Sequence, residues 1–121
     1  MQKIRVNLGE RSYNILLGRG ILSSLGGELK KLNLGTDAYI ITNVWLKNKY
    51  GVILRKALAK GGIRAHFKTV LDSEKSKSFE TVNLVIKDLA KFDHEKKVFI
   101  IAFGGGVIGD LSGFVASVYK R

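Results

Sequence analysis

The stretch GGGVIGD, Gly104 to Asp110, is where this sequence concentrates residues able to do chemistry. Gly104, Gly106 and Gly109 satisfy G-x-G-x-x-G directly after the apolar run VFIIAF and directly before a helical pattern. Glycines at such a junction permit a tight turn and let main-chain N–H groups approach a phosphate at a helix N-terminus. A diphosphate is the ligand that such a turn suits. The same turn also joins strand to helix with no ligand, and the motif alone does not separate the two. The ordinary dinucleotide fingerprint opens the first βαβ unit and is followed about 20 residues on by an acid for the ribose. Here the motif follows the last strand, and Asp110 comes straight after it. Asp110 reads either as a charge favoured by the helix dipole or as a ligand group beside the glycines. No Gly-Lys-Ser/Thr follows, so this is not a P-loop.

The elements that must position this turn are legible from periodicity. Ile4, Val6 and Leu8 alternate, GER supplies a turn, and Tyr13, Ile15 and Leu17 alternate again, which predicts a β-hairpin. Leu22, Leu25, Leu29 and Leu32 are spaced as a helix that ends on Gly35. DAYIITN reads as a short buried strand. VWLKNKYGVILRKALAKGG then carries a helical stripe (Leu46, Tyr50, Ile53, Leu54, Ala57, Leu58) stopped by Gly61-Gly62. IRAHFKTVL alternates as a strand, DSEKSKS is a polar loop, and SFETVNLVIKDLAKF is an amphipathic helix that Ser78 can cap. VFIIAF, apolar on both sides, is expected at the centre of the sheet. The order predicts an α/β fold: a Rossmann-like three-layer domain with a parallel central sheet, preceded by an N-terminal β-hairpin. Ligands of such sheets bind beyond the carboxyl ends of the strands. Three loops therefore point at one site: Thr42-Asn43, Asp72 to Lys77, and Gly104 to Asp110.

Composition sets the outer limits. At 121 residues the chain reads as one domain, 1–121, large enough for a core and small for an enzyme that closes over its substrate. No apolar run approaches the roughly 20 residues of a membrane span, and MQKIRVNL lacks a signal peptide's apolar core, which predicts a cytoplasmic protein. The absence of cysteine excludes disulfides and thiolate chemistry. A net charge of +11 favours an anionic partner, a nucleic acid or a phosphorylated small molecule and a dinucleotide. The lysines are scattered along the chain, as on solvated helix faces. A base-stacking platform would interleave aromatic and basic residues on one sheet face, and RAHFKT is the nearest candidate. His66 and His94 lack ligand spacing and read as structural.

GGGVIGDLSGFVASVYKR resembles the segment of 3-dehydroquinate synthases written GGGVxGDxxGFxAxxxxRG, and it matches every fixed position up to Arg121. VNLGERSYNILLGRGIL resembles that family's N-terminal hairpin. DSEKSKS resembles its G-E-x-x-K loop, with Glu74 and Lys77 at the matching positions and Ser73 where glycine is usual. The resemblance spans the whole chain and about the first third of a typical member. It implies a carbon–oxygen lyase that converts 3-deoxy-D-arabino-heptulosonate 7-phosphate to 3-dehydroquinate and phosphate in the shikimate pathway. The chemistry it implies is transient NAD-dependent oxidation, phosphate elimination, reduction and an intramolecular aldol, with Zn²⁺ or Co²⁺. Related sugar-phosphate cyclases, such as 2-deoxy-scyllo-inosose synthase, share the glycine motif and the mechanism, and the glycerol dehydrogenase group shares the fold. VIGDLSGF departs from the continuation usual in glycerol dehydrogenases.

Carried over by resemblance, the cofactor-binding residues are Asn43, Asp72, Glu74, Lys77, Gly104, Gly105, Gly106, Val107, Ile108, Gly109 and Asp110. Lys77 and Arg121 match substrate-binding positions. Asp110 and Arg121 are eleven residues apart, on one helix face but about 16 Å along its axis. One small ligand therefore cannot reach both in one subunit, and substrate contact by Arg121 would cross a dimer interface. The family's metal ligands belong to a helical C-terminal domain, so the resemblance implies no catalytic residue and no metal ligand within 1–121. It implies a phosphorylated sugar-acid substrate, a homodimer, and neither nucleic acid nor membrane as partner. The chain alone is expected to turn over no substrate. It is also expected to expose Leu111, Phe114, Val115 and Val118.

Overall fold

The computed structural model describes residues 1–119. The hairpin forms as its alternation predicts: β1 (Gln2–Val6) pairs antiparallel with β2 (Tyr13–Leu17), with Ile4 opposite Ile15 and Val6 opposite Tyr13. Its apolar side chains are solvent-facing, Tyr13 at 54% and Leu17 at 48% exposure, so pairing alone holds this ribbon. After a helical turn at Ile21–Ser24 comes α1 (Leu25–Leu32). It stops at Asn33, which takes the left-handed conformation (φ 51°) that closes a helix, two residues before the expected Gly35.

The rest alternates strand and helix: β3 (Asp37–Thr42), α2 (Val44–Lys60), β4 (Arg64–Thr69), α3 (Phe79–Phe92), β5 (Val98–Ala102) and α4 (Gly106–Val118). The three strands form a parallel sheet in the order β4-β3-β5, with Ile41 level with Lys68 and Ala102. Among the described residues β3 is thus the centre, buried at all six positions, and VFIIAF lies at an edge. That corrects the sequence reading. Apolarity on both sides of a strand reports that both faces are covered, and β5 meets this condition. Val98 and Ile100 pack against the α3–α4 side, while Phe99 and Ile101 pack against the α1–α2 side. Centre or edge is decided in the perpendicular, hydrogen-bonding direction, which side-chain pattern does not report.

Two cores result. Tyr39, Ile41, Val85, Leu89, Ile108, Leu111 and Val115 fill the layer under α3 and α4. Ala38, Ile40, Leu54, Leu58 and Ile63 fill the layer under α1 and α2. Leu111 and Val115 are therefore buried in the chain's own core, against expectation, while Phe114 (45%) and Val118 (51%) are exposed as expected. Ile53, assigned to the buried stripe of α2, is half exposed, because Gly51, Leu54, Ala57 and Leu58 form the face that meets the sheet. Ser78 caps α3 by accepting a hydrogen bond from the Thr81 N–H.

Behind the sheet, the Tyr39 hydroxyl donates to Asp88 Oδ2 at 2.7 Å, and the His66, Tyr39 and Phe92 rings form a cluster in which His66 stacks on each of the other two. Burial, reinforced by Asp88, pushes the Tyr39 hydroxyl pKa up. The Tyr39 hydrogen bond, aided by Lys68 and His66, outweighs desolvation and holds the Asp88 carboxyl below its ordinary value. A depressed carboxyl stabilises the fold above its unfolded pKa of about 3.9, and that contribution disappears as pH falls through the lower folded value. Asp88→Asn is accordingly expected to lower the urea midpoint at pH 7, with the gap from wild type closing below about pH 4.

Candidate functional site

All three loops singled out in the sequence leave the sheet at the same end, because the parallel register sets Thr42, Thr69 and Ala102 at the carboxyl edge. Asn43 follows β3 and caps α2: its Oδ1 accepts from the Leu46 N–H at 2.8 Å. Its Nδ2 donates to Asp72 Oδ2 at 3.1 Å, which ties the first loop to the second. Asn43 and Asp72 therefore meet, while much of Asn43's bonding capacity is spent on the helix start.

The second loop holds a helical turn at Glu74–Ser76. Ser73, which stands where the resemblance led us to expect glycine, has φ −151° and ψ 150°, extended backbone open to any residue. Its hydroxyl accepts from the Lys75 N–H, and the Ser76 hydroxyl donates to the Leu71 carbonyl, so the loop is braced by its own serines. Lys77 reaches out of this turn to Asp110 Oδ2 at 2.8 Å and to Glu74 Oε2 at 3.4 Å. Hydrogen bonds that Lys77 donates to Asp110 first and to Glu74 second raise its pKa above the ordinary lysine value. Lys77 stays a cation throughout the neutral range.

The third loop is the glycine turn. Gly105 precedes α4 in extended backbone, and Gly106 begins the helix. The first main-chain bond of α4 runs from the Gly109 N–H to the Gly105 carbonyl at 2.9 Å. The N–H groups of Gly106, Val107 and Ile108 have no acceptor among the described residues, as expected for the first turn of an uncapped helix. Gly104 is needed for packing, since a Cβ there would lie 2.7 Å from Ile108 Cγ1. At Gly105, Gly106 and Gly109 the reverse holds: a Cβ would meet nothing within 4 Å. The helix start therefore presents open donors over open space, with Asp110 67% exposed beside them. Two hollows flank the crevice. One of about 550 Å³ lies between Asn43–Trp45 and Thr69–Asp72, and one of about 280 Å³ lies among Lys77, Phe79, Asp110 and Phe114.

Every predicted cofactor residue thus falls on one side of the molecule. Arg121 lies outside the described residues. Trp45, 63% exposed on the larger hollow, was missed by the sequence reading, although its position off the buried stripe of α2 is the signal that would have found it. Both rings of RAHFKT are engaged within the fold, His66 as above and Phe67 beneath the Lys47 and Arg55 side chains of α2. No group of His, Asp and Glu among the described residues is placed to hold a metal. No helix among them is long and apolar enough to cross a membrane.

The family described as 3-dehydroquinate synthase N-terminal matches residues 67–121. A 3-dehydroquinate synthase of Thermodesulfovibrio yellowstonii is 40% identical over all 121 residues, and one of Clostridium kluyveri is 38% identical over the same span. Over its whole length the chain is similar to the N-terminal part of the 3-dehydroquinate synthases. It spans about a third of these relatives, 34% of each. The fold of this chain recurs in a solved 2-deoxy-scyllo-inosose synthase, complexed with carbaglucose-6-phosphate, NAD⁺ and Co²⁺. That likeness has a TM-score of 0.84 at 17% identity and covers 99% of this chain and 32% of the other. An NADH-dependent butanol dehydrogenase of Thermotoga maritima is more distant, with a TM-score of 0.66 at 21% identity. At such identities the likeness establishes the Rossmann-like architecture of the segment.

Proposed function

We propose that this chain is the NAD-binding part of a 3-dehydroquinate synthase, and that the glycine turn receives the diphosphate of the dinucleotide. The observation that carries this reading is that the N–H groups of Gly106, Val107 and Ile108 have no acceptor among the described residues, next to glycines at which a Cβ would meet nothing within 4 Å. These donors and the positive end of α4 supply what a diphosphate needs. Asp110 accepts a hydroxyl of the nicotinamide-side ribose, Glu74 accepts another ribose hydroxyl, and Asn43 with Asp72 borders the adenosine side at the larger hollow. Lys77, held cationic by its two carboxylates, stands between cofactor and substrate anion.

In the whole enzyme the bound dinucleotide supplies reversible hydride acceptance, and a Zn²⁺ or Co²⁺ supplies Lewis acidity. The substrate is 3-deoxy-D-arabino-heptulosonate 7-phosphate and the products are 3-dehydroquinate and phosphate. The metal ligands and most of the substrate contacts belong to the part of the relatives beyond this segment. The chain alone binds cofactor weakly and turns over nothing. Saturation-transfer NMR on the 121-residue chain tests the cofactor reading: signals from NAD that inorganic pyrophosphate displaces are expected. Transfer to a short oligonucleotide with none to NAD would favour the nucleic-acid alternative.

A further inference from the structure

The parallel ladder between β3 and β5 runs through the Phe103 N–H, which donates to the Ile41 carbonyl at 3.0 Å. One step further the strands part: β3 turns at Asn43 into α2 on one face, and β5 turns through the glycines into α4 on the other. At that point the Phe103 carbonyl has no main-chain donor among the described residues. It accepts instead from the Thr42 hydroxyl at 2.7 Å. Thr42 is fully buried, and its own carbonyl accepts from the Val70 N–H at 2.8 Å. A single residue, through its hydroxyl on one side and its main-chain carbonyl on the other, therefore ties the ends of all three strands where the crevice opens.

The bond has a geometric consequence. The Phe103 carbonyl and the Gly104 N–H belong to one planar, trans peptide unit and point in opposite directions. Fixing the carbonyl against β3 fixes the plane from which the glycine turn departs. Neither Gly105 nor Gly106 has a Cβ that touches a neighbour to hold the turn further along. We infer that Thr42 is a positioning residue for the glycine turn: its hydroxyl orients the Phe103–Gly104 peptide so that the first amides of α4 face the cofactor diphosphate. This rests on the NAD reading above and adds to it a residue that touches no ligand.

The test compares Thr42→Val, which keeps the shape and removes the hydroxyl, with Thr42→Ser, which keeps the hydroxyl. Affinity for NAD is titrated well below each variant's Tm, and amide spectra are recorded without ligand. Thr42→Val is expected to weaken NAD binding about tenfold, the equivalent of about 1.4 kcal/mol. It is also expected to shift the Gly104 to Val107 amides, and Thr42→Ser is expected to restore both to near wild type. Should Thr42→Val not fold, Thr42→Ala carries the same comparison. A Val variant with lowered Tm and wild-type affinity, or a Ser variant that fails to rescue, would overturn the positioning role while leaving the cofactor reading intact. A wild-type chain that does not bind NAD would overturn the cofactor reading first, and this inference with it.

Discussion

Gly106→Ala is expected to leave the fold intact or slightly firmer while weakening NAD binding by about 10- to 100-fold. The two effects have opposite signs because they act on different states. In the free chain a methyl at Gly106 meets nothing within 4 Å, and alanine in a helix is favoured over glycine by up to about 1 kcal/mol. In the complex the same methyl stands on the first turn of α4, against the proposed diphosphate, and holds it off the Gly106, Val107 and Ile108 donors. Losing one charge-assisted hydrogen bond costs about 1.5–3 kcal/mol, which sets the loss of affinity. Gly109→Ala, also open at its Cβ, is expected to behave the same way. Thermal unfolding and NAD titration on the same samples check both halves. A Tm that falls together with affinity would show that the glycines serve the fold.

Gly26→Ala is expected to be the most damaging small substitution in the chain. The Cβ it adds would lie 2.0 Å from the Ala57 carbonyl oxygen and 2.9 Å from the Gly61 nitrogen. All are main-chain atoms of α2 and its cap, which cannot swing aside as a side chain can. Overpacking ordinarily costs about 1–3 kcal/mol, and rigid backbone puts this case at or above the upper end. Against a total of about 5–15 kcal/mol for a domain, the variant is expected to populate unfolded chain at room temperature. Gly27→Ala is the matched control. One residue along α1 a Cβ meets nothing within 4 Å, so that variant is expected to gain up to about 1 kcal/mol. Urea unfolding of the pair separates close helix contact from loss of glycine as such.

The contrast between these glycines shows where sequence reading reached its limit. Alternation located β1, β2 and β4 and helical spacing located the helices, because burial of one face imposes those periods, while β3 and β5, covered on both faces, were legible as short apolar runs. They located the three loops of the site for the same reason: in a parallel sheet, loops that follow strands share an end. What the pattern could not supply was anything perpendicular to it. VFIIAF read as central because both its faces are apolar, yet β5 is at the edge among the described residues and β3 is flanked on both sides. Ile53 fits a helical stripe but is half exposed, since the face of α2 that meets the sheet is formed by Gly51, Leu54, Ala57 and Leu58. Ser73 raised a question about backbone that its extended conformation answers. The Thr42 hydroxyl had no sequence signature, because a buried threonine in a strand is an ordinary β-former.

The account turns on the main-chain donors of the glycine turn. A ¹⁵N-labelled chain titrated with NAD reads those donors one by one. The Gly106, Val107 and Ile108 amides are expected to shift together along one saturable curve, with Asn43 and Lys77 responding at the same midpoint. If these three amides stay in place at millimolar NAD, or if the shifts gather elsewhere on the lysine-rich surface, then α4 does not receive the dinucleotide.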